Sequence, residues 1–592
     1  MTNDITLQVA TANGSGSQSS NTVLLRSLFQ MGIPVSGKNL FPSNIAGLPT
    51  WYTIRASREG YVARKKEVDL LVAMNPETAR DDVAGLPPGA AVVYDAPLAL
   101  EGSRPDLVFY PVAFDKVVEP ITGEAKLRKL LRNMAYVGVV ARLLDIEMAE
   151  VEAAIGRTFG AKAKARELNV AAARAGFEAA SGLERRHPHR VARMDATRGK
   201  IVVDGNAACA LGAMFAGVTV VAWYPITPSS SLVETLAGYL REHRHEPDGK
   251  ATYAVVQAED ELAAMGMVLG AGWAGARAMT STSGPGVSLM SEFAGLGYYA
   301  EIPGVIFDVQ RVGPSTGLPT RTAQGDVIST ALLSHGDTQQ ILLLPGSVEE
   351  CFSLAVEAFD VAERFQTPVF VLTDLDLGMN NWMAEPFAYP DRPIDRGKVL
   401  GKEDLERLGG FARYKDVDGD AIGWRTLPGT PHPKAAYFTR GTGHDENAAY
   451  SERSDVFTAN MDRLLAKFEK AREALPAPIQ RGGGNAPVGI IAYGSSDPAV
   501  RESQDQLRAE AGLETDYLRV RAWPFSRAVR DFVAAHDRVY VVEQNRDAQL
   551  AALLKLDLPP GEVPRLRPVA HVTGLPLDAR SVTDEILAKE KH

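Results

Sequence analysis

Six short apolar runs recur between residues 201 and 374, and they constrain the fold more than any other feature of the chain. Each run is followed by a turn containing Gly, Ser or Pro and then by a segment of helical character. This alternation predicts βαβ units in a doubly wound parallel sheet. The six predicted strands are Val218–Trp223, Thr252–Val256, Ala276–Ser281, Gly304–Val309, Gln340–Leu344 and Pro368–Leu372.

The stretch Trp223–Glu234 joins the first of these strands to the helix predicted after it. Pro225 and Pro228 stop the strand, because proline removes a donor from the sheet ladder. The spacing predicts Thr227 as the N-cap and Pro228 as the first helical residue, and Ser231–Glu234 has the spacing of a capping box. Ligands bind at such strand ends, and free backbone N–H groups favour an anion. A well-capped helix that binds nothing explains the pattern equally well.

Three more stretches follow predicted strands and are expected at the same edge of the sheet. Gln257–Glu261 places three acids before a helix of Ala, Gly and Met. A buried carboxylate there can share a proton with a ring nitrogen, although the helix macrodipole alone also accounts for the acids. Thr280–Gly286 offers hydroxyls and glycines that let a ligand approach. Gln310–Asp326 contains Arg311, which can clamp a carboxylate or simply lie on the surface.

Several of these segments resemble the 2-oxoacid:ferredoxin oxidoreductases. Tyr224-Pro-Ile-Thr-Pro-Ser-Ser230 is similar to the hallmark of their pyrimidine-binding domain, and Asp204-Gly-Asn-Ala-Ala208 to their Gly-Asn-x-Ala segment. The run from Gln310 to Thr320 resembles a segment of the alpha subunits. Val488–Ser495 opens a region that resembles a transketolase-type C-terminal domain.

The N-terminal third resembles the gamma subunit of the same enzymes, so the chain is identified as a fused gamma–alpha subunit. Gly14-x-Gly16-x-Gln18 follows a predicted strand, although the family usually has glycine where Ser17 and Ser19 stand. The predicted domains are 1–190 (gamma-type α/β), 191–380 (pyrimidine-binding), 381–485 (irregular connecting segment) and 486–592 (transketolase C-terminal-like). The predicted fold class is therefore multidomain α/β.

The resemblance also implies roles for individual residues. Glu261 would bond the aminopyrimidine ring of thiamine diphosphate, with Glu259 as the second candidate. The other implied contacts are Tyr224, Pro225 and Ile226 for the cofactor, Thr227, Arg311 and Thr320 for the 2-oxoacid, and Glu261, Thr227 and Arg311 for catalysis.

The implied reaction is the CoA-dependent oxidative decarboxylation of 2-oxoglutarate to succinyl-CoA, or its reverse, with electrons passed to ferredoxin. The chain has two cysteines, Cys209 and Cys351, too few for an iron–sulfur cluster. Asp418-Gly-Asp-Ala421 lacks the glycine that opens a diphosphate–Mg²⁺ motif and predicts a turn. A beta subunit is therefore expected to supply Mg²⁺ and [4Fe-4S] within an (alpha-beta)2 assembly, and no metal ligand is assigned to this chain.

Alternatives remain open. Pyruvate or a branched-chain 2-oxoacid could be the substrate. A different class, a nucleotide-dependent oxidoreductase, would use Gly14–Ser20, and a non-catalytic scaffold subunit would use none of these sites. The net charge of −10 argues against nucleic-acid binding. No signal peptide or membrane-spanning run is evident, so a cytoplasmic protein is expected. His187 and His189 are predicted to be solvated in a linker, and Glu543 to serve packing or an interface rather than a function.

Overall fold

The computed structural model describes residues 2–42 and 47–591, and these form two compact units. The first unit comprises residues 2–203, 380–386 and 578–581. The second comprises residues 204–379, 387–577 and 582–591. Both units are built from α/β layers, which confirms the predicted fold class. The finer division into four domains stays a prediction.

The first unit contains a six-stranded mixed sheet in the order β2-β3-β1-β4-β5-β6 and a small pair, β7 and β14. Helices pack on this sheet and bury an extensive apolar core. Its strands are β1 (Asp4–Ala12), β2 (Val35–Leu40), β3 (Pro49–Ser57), β4 (Leu70–Ala73), β5 (Ala91–Asp95), β6 (Val108–Val112), β7 (Ile201–Val203) and β14 (Trp382–Ala384). Its helices are α1 (Ser17–Gln30), α2 (Ala79–Ala84), α3 (Phe114–Val118), α4 (Ala125–Leu144), α5 (Met148–Phe159) and α6 (Ala163–Ala179).

The second unit opens with the doubly wound sheet that the sequence predicts, and all six expected strands are present. The strands are β8 (Val220–Trp223), β9 (Ala254–Gln257), β10 (Ala278–Thr282), β11 (Gly304–Gln310), β12 (Ile341–Leu343) and β13 (Pro368–Asp374). The helices are α7 (Gly205–Phe215), α8 (Ser230–His243), α9 (Glu261–Trp273), α10 (Gly284–Leu289), α11 (Ser291–Tyr299), α12 (Val327–Ala331), α13 (Val348–Phe365) and α14 (Leu375–Met379).

A second sheet and its helices complete this unit. The remaining strands are β15 (Ile479–Arg481), β16 (Val488–Tyr493), β17 (Thr515–Val520), β18 (Ala522–Trp523), β19 (Arg538–Glu543) and β20 (Leu566–Ala570). The remaining helices are α15 (Lys402–Leu408), α16 (Ser454–Ala474), α17 (Asp497–Ala511), α18 (Arg527–Ala535), α19 (Gln549–Asp557) and α20 (Ala579–Glu590).

The strand order brings the segments of the predicted site together at the carboxyl ends of neighbouring strands. The first sheet of the second unit runs β18-β12-β13-β11-β10-β8-β9, and the second runs β15-β17-β16-β19-β20. Strands β11, β10, β8 and β9 are neighbours in that order, and each adjacent pair is parallel. Their carboxyl ends therefore lie side by side, where ligands bind in such sheets.

The predicted start of helix α8 is wrong by two residues. The helix begins at Ser230 rather than at Pro228, and Thr227 is not its N-cap. The backbone N–H groups of Ser229 and Ser230 instead donate to the carbonyl of Ile226, which makes a separate turn ahead of the helix.

The interpretation of the segment before β7 as solvated is also wrong for its histidines. His187 and His189 are only 5% and 7% exposed, and His187 packs edge-on against Tyr110 at 5.8 Å between ring centroids. Burial lowers the pKa of His187 to about 4, so its ring is neutral. The predicted connecting segment is not uniformly irregular either, because it contains α15 and the 21-residue helix α16.

Candidate active site

The turn between β8 and α8 is tied to two neighbouring elements. Asn206, 1% exposed near the start of α7, donates its amide to the carbonyl of Pro228 at 2.9 Å and to Oγ of Ser231 at 2.8 Å. Ser231 is therefore held by α7, and no side-chain cap forms at the start of α8. Arg311 donates from Nη1 to the carbonyl of Thr227 at 2.6 Å. These bonds fix the turn in front of the sheet edge.

The three acids before α9 have different environments. Asp260 is the N-cap, since its carboxylate accepts the N–H of Ala263 at 2.7 Å. Glu259 is exposed. Glu261 is the first helical residue and is only 6% exposed. Helix capping thus explains Asp260 but not the burial of Glu261, which leaves Glu261 as the acid placed for chemistry.

Glycines bring the turn after β10 against Glu261. A methyl group on Gly286 would lie 2.0 Å from Oγ1 of Thr282 and 2.7 Å from Cγ of Glu261, so no side chain fits there. Oγ of Ser283, in the same turn, is buried and has no hydrogen-bond partner in the part of the chain that the structure describes. The turn therefore presents bare backbone and an unpaired hydroxyl beside a buried carboxylate.

Arg311 directly follows β11 and is 7% exposed. Besides Thr227, its guanidinium donates from Nη2 to the carbonyl of Thr316 at 3.2 Å. Its Nε is buried and finds no acceptor among the described residues. Burial lowers the pKa of Arg311, while the nearby charges of Asp326 and Glu261 raise it. A buried guanidinium with an unpaired donor favours an anionic ligand, because that donor is costly to leave without a partner.

The segment after Arg311 closes on itself as a defined loop. The N–H of Val312 donates to the carbonyl of Arg321 at 3.1 Å, and the N–H of Leu318 to the carbonyl of Val312 at 2.9 Å. Arg311 and Arg321 therefore stand at the two ends of one closed loop. Arg321 donates from Nη1 to Oγ1 of Thr320 at 3.1 Å, and Thr320 is 5% exposed. Burial lowers the pKa of Arg321 as well.

The residues just after this loop are hydrogen-bonded to the second sheet of the same unit. Gln324 is fully buried, and its Nε2 donates to the carbonyl of Tyr493 at 3.1 Å. Its Oε1 accepts from Oγ of Ser496 and from the N–H of Gln544, both at 3.1 Å. Asn545 donates to the carbonyl of Gln324 at 2.9 Å. The strand ends of β16 and β19 thus fix the loop that carries Thr320.

Two residues that the sequence analysis did not select also lie at this edge. Asp308, on β11, is fully buried, and Asp326 lies five residues after the loop, directly before α12. Each has a raised pKa caused by burial. The sequence signal was a lone acid inside an otherwise apolar strand, which is unusual because buried charges are costly.

The predicted cofactor contacts are less enclosed. Tyr224 is 37% exposed, Pro225 is exposed and Ile226 is half-buried with its carbonyl engaged in the turn. The structure thus places Glu261, Thr227 and Arg311 around one sheet edge, with Thr320 on the loop beside them. Tyr224 and Pro225 lie at the open side of that edge. The roles of all seven residues stay predictions.

In the first unit, the expected turn between β1 and α1 is shorter than Gly14–Ser20, because its last four residues belong to the helix. Helix α1 begins at Ser17, and Gly16 has a positive φ of 81°. A methyl group on Gly16 would lie 2.6 Å from Cδ2 of Leu130, and Asn133 donates to the carbonyl of Ser15 at 2.7 Å. Helix α4 therefore packs on the turn. A nucleotide at this turn stays a prediction.

Comparison with known proteins agrees with this architecture. Residues 211–392 match the family of pyruvate flavodoxin/ferredoxin oxidoreductase thiamine diphosphate-binding domains, and residues 6–179 match the pyruvate ferredoxin/flavodoxin oxidoreductase family. The chain is 32% identical to the alpha subunit of 2-oxoacid:ferredoxin oxidoreductase 2 of Aeropyrum pernix, over 93% of each chain. The chain therefore belongs to the family of 2-oxoacid:ferredoxin oxidoreductase alpha subunits, with the gamma-type region fused ahead.

Two further relatives are informative. The 2-oxoglutarate synthase subunit KorA of Methanothermobacter marburgensis is 36% identical over 58% of this chain and 87% of its own length. The structure of 2-oxoglutarate:ferredoxin oxidoreductase from Magnetococcus marinus, with 2-oxoglutarate, coenzyme A and succinyl-CoA bound, aligns with a TM-score of 0.90 at 29% identity over 100% of both chains. Among residues 2–42 and 47–591, none of the helices combines the length and apolar character needed to cross a bilayer.

Proposed function

We propose that this chain, together with a beta subunit, catalyses the CoA-dependent oxidative decarboxylation of 2-oxoglutarate to succinyl-CoA and passes the electrons to ferredoxin. The observation that carries the proposal is the juxtaposition at one sheet edge of a buried carboxylate, Glu261, and a buried arginine, Arg311, with an unpaired donor. Membership of the oxidoreductase family supplies the reaction class. The particular substrate and the assembly are the proposed part.

The residues present fit thiamine diphosphate at this edge. Gly286 leaves bare backbone against Glu261, and Oγ of Ser283 is a buried hydroxyl with no partner among the described residues. Glu261 would hydrogen-bond the aminopyrimidine ring and hold the proton at its ring nitrogen. Tyr224, Pro225 and Ile226 would line the same ring. When bound, the cofactor supplies the nucleophilic carbon and the electron sink for decarboxylation.

The 2-oxoacid would be held by its carboxylate. Arg311 would donate from its free Nε, with Thr227 and Thr320 as neighbouring hydroxyl donors. Desolvation strengthens such charge-assisted bonds. The Arg311 guanidinium is already oriented by the carbonyls of Thr227 and Thr316, so little side-chain entropy is lost on binding.

Arg321 is our candidate for recognising the distal carboxylate of 2-oxoglutarate. Its guanidinium donates a hydrogen bond to the hydroxyl of Thr320. Arg321 is at one end of the loop and Arg311 precedes the other end, and a backbone hydrogen bond from Val312 to Arg321 joins the two ends. Pyruvate and branched-chain 2-oxoacids have no second carboxylate and gain nothing from this cation. The relatives named 2-oxoglutarate synthase and the 2-oxoglutarate-bound structure support the same substrate.

The proposed reaction requires a second chain. With two cysteines, this chain has fewer ligands than a [4Fe-4S] cluster takes, so the cluster is assigned to a beta subunit. The Mg²⁺ of the cofactor is assigned there too, because Asp418–Ala421 lacks the glycine that opens a diphosphate–Mg²⁺ motif. Helix α9 provides a surface for that partner. Its only charged residue is Glu261, yet Met267 and Trp273 are 44% and 36% exposed. An (alpha-beta)2 assembly is the proposed form, with ferredoxin and CoA as the other partners.

The decisive experiment is purification of the tagged chain from its native host without oxygen, followed by analysis for iron, thiamine and a second chain. The complex should reduce a viologen dye when both CoA and a 2-oxoacid are present. We expect 2-oxoglutarate to be the preferred substrate over pyruvate and 2-oxoisovalerate. Preference for another 2-oxoacid would refute the substrate assignment, and a lone chain without thiamine would refute the function.

Substitution of Arg321 tests the substrate assignment directly. In Arg321→Gln we expect kcat/KM for 2-oxoglutarate to fall about 10- to 100-fold, because one charge-assisted hydrogen bond is worth roughly 1.5–3 kcal/mol. The value for pyruvate should stay within about threefold. Arg321→Lys is the matched variant and should restore part of the loss, since it keeps the charge. Equal losses for both substrates would show that Arg321 only supports the loop.

A further inference from the structure

Asp308 is a buried carboxyl group that the proposed reaction does not use. It is fully buried on the central strand β11, between Thr282 of β10 and Leu372 of β13 in register. Neither carboxyl oxygen has a hydrogen-bond partner among the described residues. Burial, followed by the charge of Asp326, raises the pKa of Asp308 well above its usual range. Both effects favour the protonated, neutral form of the Asp308 carboxyl group.

Asp326 is held at the end of β11 by a hydrogen bond to the side chain of Gln310. Its N–H donates to Oε1 of Gln310 at 3.0 Å, and Gln310 follows Asp308 by two residues on the same strand. Residues two apart on a strand share a face, so Gln310 and Asp308 lie on the same side of the sheet, and the charge of Asp326 acts on Asp308. The carboxyl group of Asp326 also packs closely against the turn after β10. A methyl group on Gly284 in that turn would lie 2.6 Å from Oδ1 of Asp326.

The charges of Asp326 and Arg311 shift each other's pKa, but no hydrogen bond joins the two side chains among the described residues. Oδ2 of Asp326 is buried and without a partner, and Nε of Arg311 is buried and without an acceptor, among the described residues. The two guanidinium contacts that the structure shows go to carbonyl oxygens instead. Arg311 therefore faces an acid that can change charge beside it.

We propose that Asp326, backed by the neutral Asp308, is a positioning residue that controls 2-oxoacid binding, because its ionised carboxylate competes with the substrate carboxylate for Arg311. The inference rests on the proposed role of Arg311 as the substrate clamp. When Asp326 is protonated, Arg311 is the only charged residue among Asp308, Asp326 and Arg311, so an incoming carboxylate is attracted by a net positive charge. With Asp326 ionised, the group carries no net charge, and the substrate binds more weakly.

Other ionisable groups act on Asp326 or on the residues that interact with it. Tyr493, on β16, has a pKa raised well above its usual range by burial, with contributions from Glu543, Asp374 and Asp326, so it stays neutral. Asp374 is itself bonded by the hydroxyl of Ser495 at 2.5 Å. Glu261, on α9, acts on Arg311. Asp308 and Arg311 complete the set.

The direction of the pH effect follows from the pKa of Asp326. Burial raises this pKa to about 7, and the charge of Arg311 opposes the rise. Asp326 is therefore protonated below about pH 7 and ionised above it. Both carboxylates of 2-oxoglutarate are ionised throughout this range. Substrate binding should thus be strongest on the acid side and weaken as the pH rises.

The test is the pH dependence of steady-state kinetics of the purified holoenzyme complex, with 2-oxoglutarate varied at saturating CoA from about pH 6 to about pH 8.5. For the wild type we expect kcat/KM to fall on the alkaline side, by about 30-fold at about pH 8.5, through a rise in KM while kcat changes little. In Asp326→Asn, which keeps the shape and the backbone N–H, KM should lose this alkaline rise.

Two variants keep the test specific. Asp308→Asn replaces a neutral carboxyl with a neutral amide and should leave the alkaline rise in KM in place. Glu292→Gln, an exposed acid on α11 with 75% of its side chain accessible, is the matched control and should behave as the wild type. An alkaline rise in KM that persists in Asp326→Asn would overturn the proposal, as would a rise that disappears in Asp308→Asn.

Failure of this inference can be told apart from failure of the proposed function. Arg311→Lys should raise the KM for 2-oxoglutarate at least about tenfold at all pH values if the clamp is correct. A raised KM in Arg311→Lys together with an unchanged profile in Asp326→Asn would overturn only the role of Asp326. A normal KM in Arg311→Lys would overturn the clamp and the inference with it.

Discussion

Glu261 is distinguished from its neighbours by burial rather than by its position in the sequence. Asp260 caps the helix and Glu259 is exposed, whereas Glu261 is 6% exposed against a turn with no room for a side chain. In Glu261→Gln, which cannot hold the proton for the ring nitrogen, we expect dye reduction to fall about 100- to 10,000-fold. Thiamine content and thermal unfolding should change little, because the amide has the same shape.

Glu259→Gln separates the two candidate acids under the same assay. Glu259 is exposed, and we expect activity within about twofold of the wild type. A large loss in Glu259→Gln with a small loss in Glu261→Gln would reverse the assignment. Full activity in Glu261→Gln would favour the non-catalytic scaffold, since no buried carboxylate would then be needed.

Secondary structure near the site could be predicted where local chemistry decides it. The strand after Pro303 and the strand after Thr367 begin at the predicted residues, because apolar β-branched runs bounded by turns are local signals. The start of α8 at Ser230 could not be predicted, since it depends on bonds from Asn206 and Arg311. Those partners come from other elements and leave no mark in the sequence around the turn.

Helix α9 begins with Glu261, the proposed cofactor contact, and exposes apolar side chains further along. Met267 and Trp273 are exposed, and the helix has no charged residue after Glu261. Beside it, β9 is the last strand of its sheet and exposes Val256 by 41%. Exposed apolar faces next to a site are typical of protein interfaces. We expect α9 to be covered by the beta subunit.

Met267→Lys should therefore weaken association with the beta subunit but leave the folding of this chain intact. A charge buried in an interface without a partner costs roughly 3 kcal/mol or more, which weakens association at least about 150-fold. Size-exclusion chromatography with iron and activity assays would measure the loss. Leu556→Lys is the matched control, because Leu556 is 71% exposed on α19 and should tolerate the change. Equal assembly of both variants would contradict this use of α9.

Within the second unit, the two sheets are joined through the loop that carries Thr320 and Arg321. The sequence predicts the C-terminal region as a separate domain, and Glu543 in that region accepts the N–H groups of Leu550 and Ala551 at the start of α19. The neighbouring Gln544, however, bonds Gln324 through both its backbone N–H and its carbonyl, across 220 positions of sequence. Pairing at such separation cannot be deduced from a single sequence.

Gln324→Ala tests whether the hydrogen bonds between Gln324 and the second sheet contribute to substrate binding. Truncation leaves the carbonyl of Tyr493, the hydroxyl of Ser496 and the N–H of Gln544 without their partner, so we expect roughly 2–4 kcal/mol of destabilisation. Because the loop begins directly after Arg311, the proposed substrate clamp, KM for 2-oxoglutarate should also rise at least about fivefold. Thermal unfolding and steady-state kinetics on the same preparation give both values.

The matched control for Gln324 is Gln340, a second fully buried glutamine, whose amide donates to the carbonyl of Leu333 at 3.2 Å outside the loop. Gln340→Ala should lower the unfolding temperature but leave KM unchanged. A rise in KM in both variants would mean that any loss of stability loosens the site. A rise only in Gln324→Ala would show that the second sheet positions the 2-oxoacid loop, because the two variants differ in the element that each glutamine holds.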